Sequence, residues 1–190
     1  MGQVAARSTV WLLFGVALVT PACRDRAMPI LNSVSDEEYS LYSAWVKHHF
    51  KEQPPRLLLA SRTFIFDPLR PHGLCNANLL QSQGHVSSFL LRALHNLGEA
   101  EYPVATGKFK LPAFRIPWKY EESKGLDTNP FPPFRLIRFS RVAFNRDRSE
   151  AFFAVSNSCG GLCGDGGALI AIHKQGEWVF RSDLGCSWVY

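Results

Sequence analysis

FRLIRFSRVAFNRDRSEAFFAVSNSCGGLCGDGGALIAIHKQGEWVF, residues 134–180, decides how this chain is read. Apolar and β-branched runs alternate here with short polar reversals, the pattern of consecutive antiparallel strands. Residues 135–144 are expected as one strand, 145–149 (NRDRS) as a polar turn, and 150–156 as the returning strand. The cysteine-bracketed glycine segment CGGLCGDGG, 159–167, is expected as a hairpin loop leading into a strand over 167–173. Lys174-Gln175-Gly176 then turns the chain into 177–181. Aspartate, asparagine and glycine stand where tight reversals need them. The tail from Cys186 to Tyr190 reads as a short final strand held by its cysteine.

Upstream, Ser35-Asp36-Glu37-Glu38 starts a helix: Ser35 is the N-cap, Glu38 sits at the capping-box position, and the acids suit the positive end of the dipole. Leu41, Tyr42, Trp45, Val46, His49 and Phe50 recur at three-to-four spacing before Pro54-Pro55 ends the pattern. His48 and His49 are read as surface or core-edge residues of this helix. RLLLASRTFIF, 56–66, is expected as a buried strand, and 69–83 as a loop. Val86, Phe89, Leu90, Ala93, Leu94 and Leu97 form a second apolar stripe, with Gly98 expected as the C′ residue that closes the helix and His95 on its solvated side. Residues 102–111 have room for one strand, and the prolines beyond break regular structure. KFKLPAFRIPWKY, 108–120, is read as aromatic packing over the core, a ligand groove being the rival. The fold class that follows is α+β: an antiparallel sheet, formed largely by the C-terminal meander, packed against two amphipathic helices at 36–50 and 86–97 and disulfide-bonded.

The chain of 190 residues suits one domain, and 46% hydrophobic with 19% charged residues excludes disorder. Its first part stands outside that domain. Arg7 precedes the ten-residue apolar run VWLLFGVALV, 10–19, which is too short to cross a hydrocarbon layer of about 30 Å as a helix. Thr20-Pro21-Ala22-Cys23 follows as a cleavage point. We read 1–22 as a signal peptide, 23–34 as a tether and 35–190 as a single α+β domain. Ala22-Cys23 resembles a lipobox, which makes Cys23 the lipidation site; Thr20 departs from the usual aliphatic residue and leaves ordinary signal cleavage open. Removal of 1–22 takes away Arg7 and no acid, leaving a net charge of +4. That charge implies mild attraction to anionic envelope surfaces. The basic residues are scattered, Arg135, Arg138 and Arg141 included, and indicate no nucleic-acid partner; these three are read as solvated or core-rim residues.

Setting Cys23 aside leaves Cys75, Cys159, Cys163 and Cys186, an even number in an exported chain, which favours two disulfides. Three connectivities are open. Cys159 with Cys163 across Gly-Gly-Leu is one bridge the glycines permit, and it leaves Cys75 with Cys186. The rival is a metal site drawing on His72, Cys75, Cys159, Cys163, His173 and Cys186. Structural zinc uses paired hooks, and only one is present, so no metal and no cofactor is assigned.

SRVAFN, 140–145, a polar turn, an apolar strand and CGGLCGDGG together resemble a C-terminal pattern, roughly SRVGFN…CGGLCG, of uncharacterised exported bacterial proteins that often carry a lipoprotein-type signal. Ala143 replaces the usual glycine. DEEYSLYSAWV at the first helix and Thr63 are similar to that group as well. The resemblance implies architecture and export, and no activity.

For chemistry, the glycine segment suggests an anion nest, but neither a lysine-serine pair nor a helix follows it. Residues 145–150 place oxygen side chains at alternate positions without the glycine a calcium loop requires. His72, His85, Asp165 and Ser158 make a triad on paper, with no nucleophile elbow to support it, so no catalytic residue is assigned. Cys159 and Cys163 have the wrong spacing for a thiol redox motif. The reading is a non-catalytic binding or scaffolding protein of the cell envelope. It meets the membrane surface through a lipid anchor and has an envelope partner. A small envelope enzyme (hydrolase or thiol redox) and a metal-binding envelope protein are the alternatives.

Overall fold

A long antiparallel strand pair forms the middle of the molecule. In a computed structural model of the protein the described residues are 33–50, 57–70, 75, 80, 86–111, 118–119, 135–160, 163–181, 184 and 186–189. Of the eight strands, β5 (Glu150–Gly160) and β6 (Cys163–Lys174) pair along almost their whole length, with Asn157 opposite Asp165 and Phe153 opposite Leu169. Each is flanked by two shorter strands laid end to end. Beside β5 run β3 (Arg135–Phe139) and β4 (Ala143–Phe144); beside β6 run β7 (Glu177–Arg181) and β8 (Ser187–Val189). Beyond β3 the sheet continues with β1 (Leu57–Leu59) and β2 (Trp118–Lys119), both in parallel pairing. The sheet is therefore mixed, a correction to the antiparallel expectation.

The two helices supply the cover. α1 (Asp36–His49) shares a core with Ala151, Phe153, Val155, Leu169 and Ala171, whereas α2 (Ser88–Leu97) shares one with Phe152, Ala154, Ala168 and Ile170. Successive strand residues point to opposite faces, so AFFAV is apolar throughout because both faces are buried. The same reason makes LLL of β1 an unbroken apolar run: all three leucines are buried.

At its N-terminal end α1 makes a buried ion pair through Glu38, beside more exposed pairs of Asp36 with Lys108 and Glu37 with Arg148. Ser35 and Glu38 form the expected capping box. Glu38 then does a second job: Oε1 accepts from Arg141 Nε at 2.9 Å and Val142 N at 3.0 Å, and Oε2 accepts from Arg141 Nη2 at 3.2 Å and Ser35 N at 2.8 Å. Arg141 also donates to the Ser33 carbonyl and lies 4.3 Å from the centroid of the Tyr102 ring. Both side chains are 2% exposed. Arg141 is thus no rim residue: the break between β3 and β4 turns it inward onto Glu38. Ser33 and Val34 belong to the folded part too, since Val34 is buried in the α1 core.

Ser140 completes the break, accepting from Ala154 N at 2.8 Å and donating to the Arg141 carbonyl at 2.7 Å, while Tyr42 Oη donates to the Ser140 carbonyl at 2.6 Å. Burial, with the Glu38 carboxylate adding to it, holds the Tyr42 phenol well above its ordinary pKa.

The remaining departures have local causes. After β1 the chain leaves the regular ladder: Thr63 N bonds the Tyr102 carbonyl and Thr63 Oγ1 receives Tyr102 N, so the strand expected over 56–66 is short. Residues 102–111 hold a bridge from Pro103 to Arg62 and a 3-10 turn at Thr106–Lys108 instead of a strand. The glycine segment lies largely within β5 and β6, with β6 beginning at Cys163. Its glycines serve close approach: a Cβ on Gly166 would overlap the Trp188 indole, and one on Gly167 would lie 3.0 Å from the Cys186 carbonyl oxygen. Gln175 and Gly176 both have positive φ (51° and 86°), as a type I′ hairpin turn requires.

Cys75 and Cys186 form a disulfide with Cα atoms 5.2 Å apart, buried in the α2 core. It spans 111 residues, a closure that the chain-entropy account values at about 4–5 kcal/mol. Residues 1–22, expected as a signal peptide, and Cys23, His72 and His85 lie outside the described residues, as do the side chains of Cys159 and Cys163.

Gly98 closes α2, as expected, with φ −84°; a Cβ there would lie 2.8 Å from the Phe66 carbonyl oxygen and 3.0 Å from that of Leu94. Gly98→Ala is expected to cost about 1–3 kcal/mol through that clash, read as a lowered urea midpoint at unchanged slope. A neutral or stabilising result would show that α2 can shift away from the 66–67 backbone.

Candidate functional site

The face of β5 that packs on α1 is apolar at Ala151, Phe153 and Val155, and the next inward position is Asn157. Directly opposite it stands Asp165 on β6. Around this polar pair the last turn of α1 leaves a cleft of about 380 Å³. Trp45, His48 and His49 come from the helix, Val155 and Asn157 from β5, Asp165 to Leu169 from β6, Phe180 from β7, and Cys186 and Ser187 from the tail.

Asn157 is 5% exposed and its orientation is determined. Its Nδ2 donates to Asp165 Oδ1 at 2.9 Å, and a carboxylate only accepts, so the amide nitrogen faces Asp165 and the oxygen faces away. That Oδ1 is the one buried side-chain atom among the described residues without a hydrogen-bond partner. A lone buried amide oxygen costs about 1–3 kcal/mol, which an apolar side chain at this inward position would avoid.

The rim carries two imidazoles. His49 stacks on Trp45 with ring centroids 4.5 Å apart and planes 13° from parallel, and His48 lies 5.4 Å from Phe180. Burial lowers the His49 pKa below its ordinary value, against the opposing pull of the Asp165 carboxylate; His48 and Arg135 lower it further. The ring is therefore neutral at physiological pH. Asp165 is exposed at the mouth. Taken together, the cleft offers a carboxylate, a buried amide oxygen, the neutral His49 imidazole with His48 beside it, and aromatic walls.

Of the residues singled out from sequence, Cys186 and Asp165 reach this cleft. Ser158 does not share the Asp165 face, because it follows Asn157 by one residue on a pleated strand. Cys75 and Cys186 are bonded to each other, and His173 sits exposed against Trp178, 4.9 Å between centroids, so this metal set is divided. The described residues contain no group of three or more histidine, cysteine or acidic side chains placed to hold a metal. No described helix is long and apolar enough to cross a membrane. The turn at 145–149 uses its oxygens internally: Asp147 Oδ1 accepts from Ser149 N and Oγ, and Asn145 Oδ1 from Glu150 N. Asn157 was not anticipated; His48 and His49, read as surface or core-edge residues, are exposed and stand at the cleft rim. The one available signal was a polar residue at the inward phase of the β5 alternation. Comparison of the chain with protein-family models, curated proteins and solved structures finds no match.

The depressed His49 pKa has a pH consequence. Above about pH 6.5 the ring is neutral in both folded and unfolded chains. As pH falls through that value the unfolded chain protonates first, so stability declines until the folded pKa is passed. His49→Gln is expected to flatten this acid-side decline, measured as urea midpoints between about pH 7.5 and 5. Parallel curves for wild type and variant would show that the ring titrates as a solvated histidine.

Proposed function

We propose that this chain is a disulfide-bonded protein of the cell envelope, exported by the signal at 1–22 and anchored to the membrane surface through Cys23, with a non-catalytic binding role. The binding site is the cleft beneath the end of α1. The buried Asn157 Oδ1 without a donor carries this reading, since proteins seldom retain such an atom unless something comes to satisfy it. The Cys75–Cys186 bridge supports an oxidising compartment. It also withdraws those two cysteines from thiol redox or metal chemistry. The scattered basic residues support no nucleic-acid partner.

A hydrolase is the second reading, favoured by the cleft's own inventory: Ser187, the neutral His49 and Asp165 all line it. Turnover of an ester panel by wild type, lost in His49→Gln at an unchanged unfolding midpoint, would place it ahead of binding alone.

The envelope assignment is tested by the intact mass of the protein from its native membrane fraction, unreduced, with and without thiol alkylation. A chain starting at Cys23 with acyl groups and no alkylatable thiol is expected. A chain starting at Met1 with free thiols would overturn export, anchoring and the oxidising compartment together.

A further inference from the structure

We infer that the cleft binds a small organic cation, an ammonium or guanidinium group carried on an apolar or aromatic skeleton. The inference rests on the proposed binding role and names its ligand class. Three observations converge on it. First, the two polar groups on the sheet side of the cleft, Asn157 and Asp165, are bonded to each other in a way that leaves acceptors over: one Nδ2 hydrogen goes to Asp165 Oδ1, and Asn157 Oδ1 has no donor. A ligand that brings only acceptors, such as a carboxylate or phosphate, would leave that oxygen unsatisfied and set a second negative charge beside Asp165. A ligand that brings several N–H donors satisfies both.

Second, the cleft is built from the last turn of α1, where the helix dipole presents its negative end, so the backbone favours positive charge in the same place as Asp165 does. Third, Trp45 and Phe180 line the walls, and His48 and His49 stand with them at the rim. Aromatic faces attract cations, and they bury the skeleton that carries the charge. His48 and Arg135 act electrostatically on His49, and Lys47 stands in the same last turn of α1; of these only His48 lines the cleft.

The test is an NMR titration of the isotopically labelled full chain with phenethylammonium, and in parallel with phenethyl alcohol and hydrocinnamate, its neutral and anionic counterparts. Phenethylammonium is expected to shift the backbone amides of Asn157, Asp165 and Gly166 and the Asn157 side-chain amide saturably, at least about tenfold more tightly than either counterpart. Asp165→Asn, which keeps the shape and removes the charge, is expected to abolish that preference. If the alcohol or the anion binds the same residues as tightly as the amine, the cleft is a binding site and the cation assignment is wrong. If none of the three perturbs these residues, both the cation assignment and the cleft as binding site fail.

Discussion

Glu38 and Arg141 are the interaction on which the arrangement depends. Two opposite charges are taken out of water, each at a cost of several kcal/mol, and the cost is offset only because the carboxylate accepts four hydrogen bonds and the guanidinium is held against the Tyr102 ring. The pair joins elements more than 100 residues apart. It sets the N-terminus of α1 against the interruption between β3 and β4, and the helix axis then carries Tyr39, Tyr42 and Trp45 across the sheet. Tyr42 stacks on Phe139 at 4.3 Å and completes the register by bonding the Ser140 carbonyl.

That anchoring has a functional corollary at the other end of the same helix. With its start fixed at Arg141, the last turn of α1 falls over Asn157 and Asp165, where the inward row of β5 changes from apolar to polar. The sheet contributes its own precision. Gly166 and Gly167 let the Cys186–Trp188 segment close on β6, and the Cys75–Cys186 bridge holds that segment against the α2 core. The cleft is thus bounded by a helix end, two central strands and a covalently held tail.

Much of this was legible in the sequence, unevenly. The capping box at Ser35–Glu38 and the β6–β7 turn at Gln175-Gly176 are governed by local chemistry and read directly, whereas the cysteine count indicated disulfides and left the Cys75–Cys186 pairing as one of three connectivities. The parallel pairing of β1 was not, because an apolar run such as LLL carries no mark of its neighbour's direction. Arg141 was misread because arginine at a three-residue spacing normally marks a wet surface, and its partner lies far away in sequence, in α1. The glycines at 164–167 read as a loop because composition does not separate freedom at φ from room for a neighbour; here Trp188 and Cys186 need the room. The site was hidden for a similar reason: a single Asn in SNS is unremarkable until the register places it opposite Asp165 and beneath His49.

The central claim, that a buried ion pair docks α1 and with it the cleft, is tested most directly by a double-mutant cycle on the disulfide-intact protein, using Glu38→Gln and Arg141→Met with urea unfolding. Each single substitution leaves a buried charge without its counter-ion and is predicted to cost about 3–5 kcal/mol, whereas the double variant costs much less than the sum, giving a coupling of at least about 2 kcal/mol. Single effects below about 1 kcal/mol that simply add would contradict the account. They would mean that α1 is held by its apolar face alone.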